Sequence, residues 1–189
     1  MDKIAITGGI GSGKSFICQK LEARGINVYD CDKAAKRIIA SSDEVRTSLS
    51  KAVGDNVFMD NGKLNKALLS EFLLRNENNA QVVNSIVHPA VAHDFLSSGY
   101  NWMECAILFS SGFDKLVNKI ICVTAPTNIR IKRIIERDGL TPSQAQMWIN
   151  RQISQSEIIS KSDFVILNDG IHDVDIQIDK ILNILMYNK

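Results

Sequence analysis

Eight residues near the amino terminus, Gly8-Gly9-Ile10-Gly11-Ser12-Gly13-Lys14-Ser15, fit the pattern G-x-x-x-x-G-K-[ST] and follow directly on the apolar run Ile4-Ala5-Ile6. A glycine-rich turn between an apolar strand and a helix restricts the fold to a β-loop-α start, because only such a turn aims consecutive main-chain N–H groups at one point. Glycines at these positions remove the side chains that would block an approaching phosphate, and the helix opening near Lys14 adds its positive end to the same place. The reading is therefore a nucleoside triphosphate site. Gly9, Ile10, Gly11, Ser12 and Gly13 would form its backbone cradle, Lys14 would reach the β- and γ-phosphates, and the Ser15 hydroxyl would ligate Mg²⁺.

The rest of the chain extends this start into an α/β fold. A strand at Lys3–Thr7, a helix from Lys14 to about Arg24 and a second strand at Asn27–Tyr29 make a βαβ opening. Apolar runs at Trp102–Phe109, Lys119–Val123 and Phe164–Leu167 read as further strands buried on both faces, with helical spacing between the later ones. A central parallel sheet between two helical layers follows. From about 41 to 100 the rhythm changes to a helical pattern (Leu64, Leu68, Leu69, Phe72; Val82, Val83, Ile86, Val87), expected to be an inserted helical subdomain that either holds a second substrate or acts as a passive cap. With 189 residues, 45% of them hydrophobic, one good core is affordable and the expectation is a single domain over 1–189.

Charge and cysteine usage exclude several classes. A formal net charge of +1 leaves no bulk electrostatic footprint for nucleic acid or an anionic membrane. No apolar stretch approaches the roughly 20 residues that span a bilayer, and the first residues do not read as a signal peptide, so the expected location is cytoplasmic. Cys18, Cys31, Cys105 and Cys122 lack C-x-x-C spacing and sit among apolar residues, which suits reduced thiols in a core.

Two further groups carry chemistry. Asp30-Cys31-Asp32 falls at the end of the second strand, on the sheet edge where such folds bind ligands. A carboxylate there orients an attacking hydroxyl and accepts its proton, or holds a metal's water shell; Asp-x-Asp is equally a turn and helix cap, Asp30 being the cap candidate and Asp32 the base candidate. Between Thr127 and Arg151, five basic residues (Arg130, Lys132, Arg133, Arg137, Arg151) oppose only Glu136 and Asp138. Arg130, Arg133 and Arg137 share one helix face. Gly139 and Thr141-Pro142-Ser143 then break the helix and begin another, so that about 126–156 reads as a helical hairpin able to close as a lid over a nucleotide, or as an ordinary solvated basic surface.

Taken in order, Thr7 to Ser15, Gly25-Ile26-Asn27-Val28 leading into Asp30-Cys31-Asp32, Ile86-Val87-His88-Pro89, Arg133-x-x-x-Arg137-Asp138-Gly139-Leu140-Thr141, Gln152 and Ser162-Asp163-Phe164-Val165-Ile166-Leu167-Asn168 resemble the dephospho-CoA kinase family over nearly the whole chain. The resemblance implies a three-layer P-loop kinase fold with a helical acceptor-binding insertion and a lid. It also implies transfer of the ATP γ-phosphate, with Mg²⁺, to the ribose 3′-hydroxyl of dephospho-CoA. Carried over by position, Asp32 matches the aspartate that activates the acceptor hydroxyl, His88 lies in the His-Pro motif of the acceptor region, Arg133 and Arg137 match lid arginines, and Asn168 falls at the nucleotide end of the last strand. By spacing alone, His88 before Pro89 reads as a helix end.

The chain also departs from the family pattern. Ala106-Ile107-Leu108-Phe109-Ser110 lacks the carboxylate usual at the position of Ser110, with Glu104 upstream on the strand; Trp148 stands where an arginine usually precedes Gln152, and Lys66 replaces a common arginine. The alternatives carried are another small-molecule or nucleotide kinase and a nucleotide-responsive module without catalysis. Asn118-Lys119-Ile120-Ile121 lacks the aspartate of the guanine-reading Asn-Lys-x-Asp pattern.

Overall fold

The computed structural model describes residues 2–187. Five strands, β1 (Ile4–Thr7), β2 (Val28–Asp30), β3 (Trp102–Glu104), β4 (Lys119–Thr124) and β5 (Phe164–Leu167), form one sheet in the order β2-β3-β1-β4-β5. The ladders β1/β3, β1/β4 and β4/β5 are parallel, so each strand is followed by helical structure that returns the chain. Ten α-helices and two short 3-10 turns (Asp55–Val57 and Phe113–Leu116) complete the described chain: α1 (Lys14–Glu22), α2 (Cys31–Ser41), α3 (Asp43–Val53), α4 (Lys66–Arg75), α5 (Glu77–Ser97), α6 (Leu108–Ser111), α7 (Thr127–Asp138), α8 (Pro142–Asn150), α9 (Gln155–Ser160) and α10 (Val174–Tyr187). Among the described residues no helix is long and apolar enough to cross a membrane.

The chain divides into two compact units, one made of the stretch up to Val28 and the stretch from Asn101 onward, the other of Tyr29–Tyr100. In the first, alternation along the strands sends Ile4, Ile6, Ile121, Val123 and Ile166 to the sheet face that packs on Ile17, Cys18 and Leu21 of α1 and Ile178 and Ile181 of α10. Ala5 and Cys122, on the opposite face, are also fully buried, which is why these strands read as continuous apolar runs. Lys20 and Arg24 of the α1 end pair with Asp175, and Arg24 also with Asp179, tying the two helices at their solvent edge.

In the second unit, α2, α3 and α4 pack on the 21-residue α5, whose buried stripe is Val83, Val87, Val91 and Phe95. The helical stretch expected from about 41 lies inside this unit, which takes in α2 as well. Side-chain caps at Asp30, Ser42, Asn65 and Asn76 start its four helices by accepting a main-chain N–H.

Three expectations of local structure are corrected. The strand expected over Trp102–Phe109 stops at Glu104; Cys105 gives its N–H to Ile6 O, and the chain then turns into α6, where the Ser110 and Ser111 hydroxyls donate to the Ile107 and Leu108 carbonyls. A short apolar run does not by itself distinguish a strand from a buried helical turn. The first helix ends at Glu22 rather than Arg24, because the Leu21 carbonyl is taken by the N–H groups of Arg24 and Ile26 while Gly25 adopts φ +79°, and the second strand shifts one residue onward. Pro89 does not end a helix at His88: it lies inside α5, where burial of the Val83-Val87-Val91-Phe95 stripe overrides the local preference. The carbonyl its missing N–H would have bonded belongs to Ser85, on the solvent side.

Candidate active site

The glycine-rich loop joins β1 to α1, and Gly9, Ile10, Gly11, Ser12, Gly13, Lys14 and Ser15 all fall on it or in the first helical turn. Its special backbone is local in origin. Gly11 and Gly13 have φ of +77° and +94°, conformations that side-chain-bearing residues avoid, and each is closely packed. A Cβ on Gly11 would stand 2.7 Å from the Arg130 carbonyl oxygen, and one on Gly13 would overlap the Asn168 side-chain amide.

The carbonyl side of the loop is held by residues distant in sequence. Arg130 Nε donates to Ile10 O at 2.9 Å; Arg133 Nη1 donates to Gly11 O and Ser12 O at 3.4 and 3.2 Å; Asn168 Nδ2 donates to Ser12 O at 2.9 Å. Since N–H and C=O lie on opposite sides of a planar trans peptide, fixing the Ile10 and Ser12 carbonyls on one side turns the Gly11 and Gly13 amides to the other, while the Ser12 N–H closes the turn onto Gly9 O at 3.2 Å. That is the arrangement an anion cradle requires. Ser12 Oγ is fully buried and has no hydrogen-bond partner among the described residues, an orphaned hydroxyl on the loop.

Each of these clamps is itself anchored. Arg130, one turn before Arg133 on α7, is only 4% exposed, and its Nη1 donates to Gln155 Oε1 at 2.9 Å. Burial pulls its guanidinium below the usual arginine range. Gln155 Nε2 in turn reaches Thr124 Oγ1 and Ala125 O at the end of β4. Gln152 Oε1 accepts the Ile10 N–H at 2.8 Å. Arg133 Nη2 donates to Asn168 O at 3.0 Å, and Asn168 N–H continues the β4/β5 ladder to Thr124 O. The loop therefore rests on the carboxyl ends of β4 and β5 through α7 and α9.

Lys14 lies along its own loop: Nζ donates to Gly8 O at 2.9 Å and stands 3.9 Å from Glu104 Oε1, with both side chains largely buried. Ser15, in the first turn of α1, is exposed. Hydroxyl and carboxylate oxygens are the hard donors that suit Mg²⁺. Among the described residues no three His, Cys, Asp or Glu side chains converge on one point.

The basic face of α7 separates into two roles. Arg130 and Arg133 turn toward the loop, whereas Arg137 makes a two-pronged pair with its neighbour Asp138, both bonds 2.8 Å, on a side chain 62% exposed. α7 ends at Gly139 (φ +66°), and Thr141 with Gln144 forms a reciprocal capping box that starts α8.

In the second unit, Asp30 caps α2, accepting the Lys33 N–H at 2.9 Å, and Asp32 stands exposed in the first turn of that helix, where a negative charge is favoured. Of the uses weighed for the pair of carboxylates, the helix cap falls to Asp30. His88 is half-buried on α5, and desolvation lowers its pKa from the ordinary histidine value, favouring the neutral ring. Close by on the same helix, Asp94 accepts from Tyr29 OH and Arg37 Nη2, each at 2.6 Å; the Arg37 guanidinium holds the Asp94 carboxyl below the usual carboxylate range, while burial and Asp94 push the Tyr29 phenol up.

Glu104, Arg130, Gln152 and Gln155 were not placed in the site by local pattern. Arg130 carried one signal, its position on the face of Arg133. Gln152 appeared only as part of the family pattern, and nothing in the neighbourhood of Gln155 or Glu104 announces a partner more than 85 residues away in the chain for the latter.

With this geometry in place, the chain's similarities become informative. A family model described as dephospho-CoA kinase matches residues 3–173. A dephospho-CoA kinase of Bacteroides fragilis is 40% identical over 175 residues, covering 89% of this chain and 85% of that protein. One from Porphyromonas gingivalis is 36% identical over 189 residues, covering 96% and 93%. Among solved structures, a protein from Thermus thermophilus superimposes with a TM-score of 0.83 (23% identity, 96% and 95% covered), and the dephospho-CoA kinase from Campylobacter jejuni with 0.68 at the same identity and coverage, which supports the shared fold. The chain belongs to the dephospho-CoA kinase family.

Proposed function

We propose that this chain uses the loop of Gly8–Ser15 to hold ATP and transfers its γ-phosphoryl group to the ribose 3′-hydroxyl of dephospho-CoA, yielding coenzyme A and ADP. The observation that carries the proposal is the pinning of the Ile10, Gly11 and Ser12 carbonyls by Arg130, Arg133 and Asn168, in a member of this family, because it orients the loop amides before any phosphate arrives. Preorganised donors lose little on binding and act most strongly on charge that develops during transfer.

In this reading Lys14 leaves the Gly8 carbonyl to bridge the β- and γ-phosphates, and Asp32 accepts the proton of the 3′-hydroxyl as its oxygen bonds to phosphorus and the bond to the β-phosphate oxygen breaks. His88, kept neutral by its surroundings, contributes to acceptor binding. Arg133 stays on the Gly11, Ser12 and Asn168 carbonyls and keeps the loop in place, and Arg137 exchanges Asp138 for phosphate when α7 and α8 close as a lid. The Ser15 hydroxyl would hold Mg²⁺ together with the nucleotide, and the ion would supply charge neutralisation at the transferred group.

The test is transfer from ATP, with Mg²⁺, to a panel of ribose-bearing acceptors, followed by mapping of the phosphate position. Dephospho-CoA should be the preferred acceptor and the 3′-oxygen the site. Preference for another alcohol would reassign the acceptor, and binding of ATP without transfer to any acceptor would favour a regulatory module.

A further inference from the structure

Asp94 of α5 accepts two hydrogen bonds of 2.6 Å, one from the Tyr29 hydroxyl and one from Arg37 Nη2, and the two donors bracket Asp32 in the chain. Tyr29 lies on β2, just before the Asp30 cap of α2; Arg37 lies in the second half of α2. Asp94 shares α5 with His88 and stands about 9 Å further along its axis, at roughly 1.5 Å per residue. One carboxylate therefore straps both ends of the segment that bears Asp32 to the helix that bears His88, all within the Tyr29–Tyr100 unit. The two bonds are unequal. The Arg37 side chain is 57% exposed, and an exposed ion pair holds little by itself. Tyr29 is buried, its ring lying 5.3 Å from that of Phe95 and 5.8 Å from that of Tyr100, so its hydroxyl has one place to go. A bond from a buried hydroxyl to an ionised carboxylate is directional, as apolar packing is not. Beside the Arg37–Asp94 pair a cleft of about 650 Å³ opens among α2, α3 and α5, and on that side no interlocked side chains set the spacing of the helices.

We infer that Asp94 is a positioning residue for the transfer step: through Tyr29, with Arg37 as a second tie, it fixes the β2–α2 junction on α5 and with it the place of the Asp32 carboxylate relative to an acceptor bound near His88. The inference rests on the kinase reading given above, in which Asp32 takes the proton of the acceptor hydroxyl. None of the three tied residues is given a contact with the reacting atoms. Their contribution is precision, which matters because a base helps only within hydrogen-bond reach of the proton it removes.

The experiment uses the full chain and measures transfer from ATP, with Mg²⁺, to dephospho-CoA, together with calorimetric affinity for a non-hydrolysable ATP analogue. Tyr29→Phe keeps the ring contacts and removes only the hydroxyl; Asp94→Asn keeps the shape and removes the charge. Each should lower kcat by about tenfold or more, since misplacing a reacting group by roughly 1 Å costs up to about 10²-fold, and each should bind the analogue as the wild type does. Both substitutions are then repeated in Asp32→Asn. A residue that acts through Asp32 has nothing left to position there, so kcat should fall by less than about twofold further, whereas independent effects multiply. General loss of structure would multiply with the Asp32 loss. Unchanged kcat in either single variant, full multiplication in the Asp32→Asn background, or a matching fall in analogue affinity would overturn the inference and leave the kinase reading standing. Absence of transfer to dephospho-CoA by the wild type would remove that reading, and the inference with it.

Discussion

Replacing Gly13 by alanine tests how tightly the loop is built, because Gly139 offers an internal control. Both glycines adopt the left-handed conformation, with φ of +94° and +66°, and both lie in the same compact unit. Alanine in that conformation costs about 1–2 kcal/mol. At Gly139 nothing lies within 4 Å of the added Cβ, so that cost is the whole effect. At Gly13 the new atom overlaps the Asn168 amide, which is 6% exposed and donates to Ser12 O. Displacing it breaks that bond and strands a buried donor, adding about 1–3 kcal/mol. The total for Gly13→Ala is then about 2–5 kcal/mol. Thermal unfolding with and without saturating ATP and Mg²⁺ reads both parts: Gly139→Ala should lower the midpoint modestly and keep the upward shift on adding nucleotide, whereas Gly13→Ala should lower it further and lose that shift. Equal midpoints for the two variants, or an intact nucleotide shift in Gly13→Ala, would refute the close packing between loop and Asn168 on which the cradle depends.

Asp32→Asn should reduce kcat by roughly 10²–10⁴-fold, the scale of general-base help, with ATP affinity little changed; wild-type turnover would remove Asp32 from the base role. Arg133→Ala should lower kcat by about 10²-fold, the scale of one preorganised donor, and weaken ATP binding much less; equal losses in the two would mean uniform binding of ground and transition states. The Asp169 carboxyl, held at about 2 first by the His172 main-chain N–H and then by that of Ile171, favours the folded state above the ordinary aspartate pKa, and this contribution fades as pH falls from about 4 toward about 2. Asp169→Asn should therefore flatten the acid limb of a melting-temperature profile; identical profiles would contradict the assignment. Cys18, Cys31, Cys105 and Cys122 are all buried and none is in a disulfide, and burial pushes the Cys122 thiol up to about 11, so native protein should resist a thiol reagent at neutral pH that reacts with four thiols after unfolding. Rapid labelling of the native chain would show the core to be open.

What could be read ahead of the structure was whatever depends on near neighbours. Lys14 and Ser15 follow the glycines at a spacing that only a strand-turn-helix satisfies, and the strand at Lys119 is apolar because both its faces are covered, whereas the strand at Phe164, expected to be buried on both faces, leaves Val165 exposed. The clamps on the loop are a different kind of information. Arg130 lies 120 residues from Ile10, and Gln152 lies 142 from it, so no local pattern marks either as a loop ligand. Arg137 shows the converse: its spacing places it with Arg130 and Arg133, yet Asp138, one residue on, captures the side chain. The end of β3 at Glu104 was hidden because a short apolar run fits a strand and a helical turn alike, and the continuation of α5 through Pro89 because burial of its apolar stripe overrides the local preference.

The central claim, that the main-chain amides of this loop grip the polyphosphate of ATP, is tested most directly by ¹⁵N-resolved amide spectra during titration with ATP and Mg²⁺. The account predicts saturable shifts concentrated at Gly11, Ser12, Gly13, Lys14 and Ser15, lost in Lys14→Ala or reached only at far higher nucleotide. Saturation with nucleotide while those amides stay unmoved would contradict it.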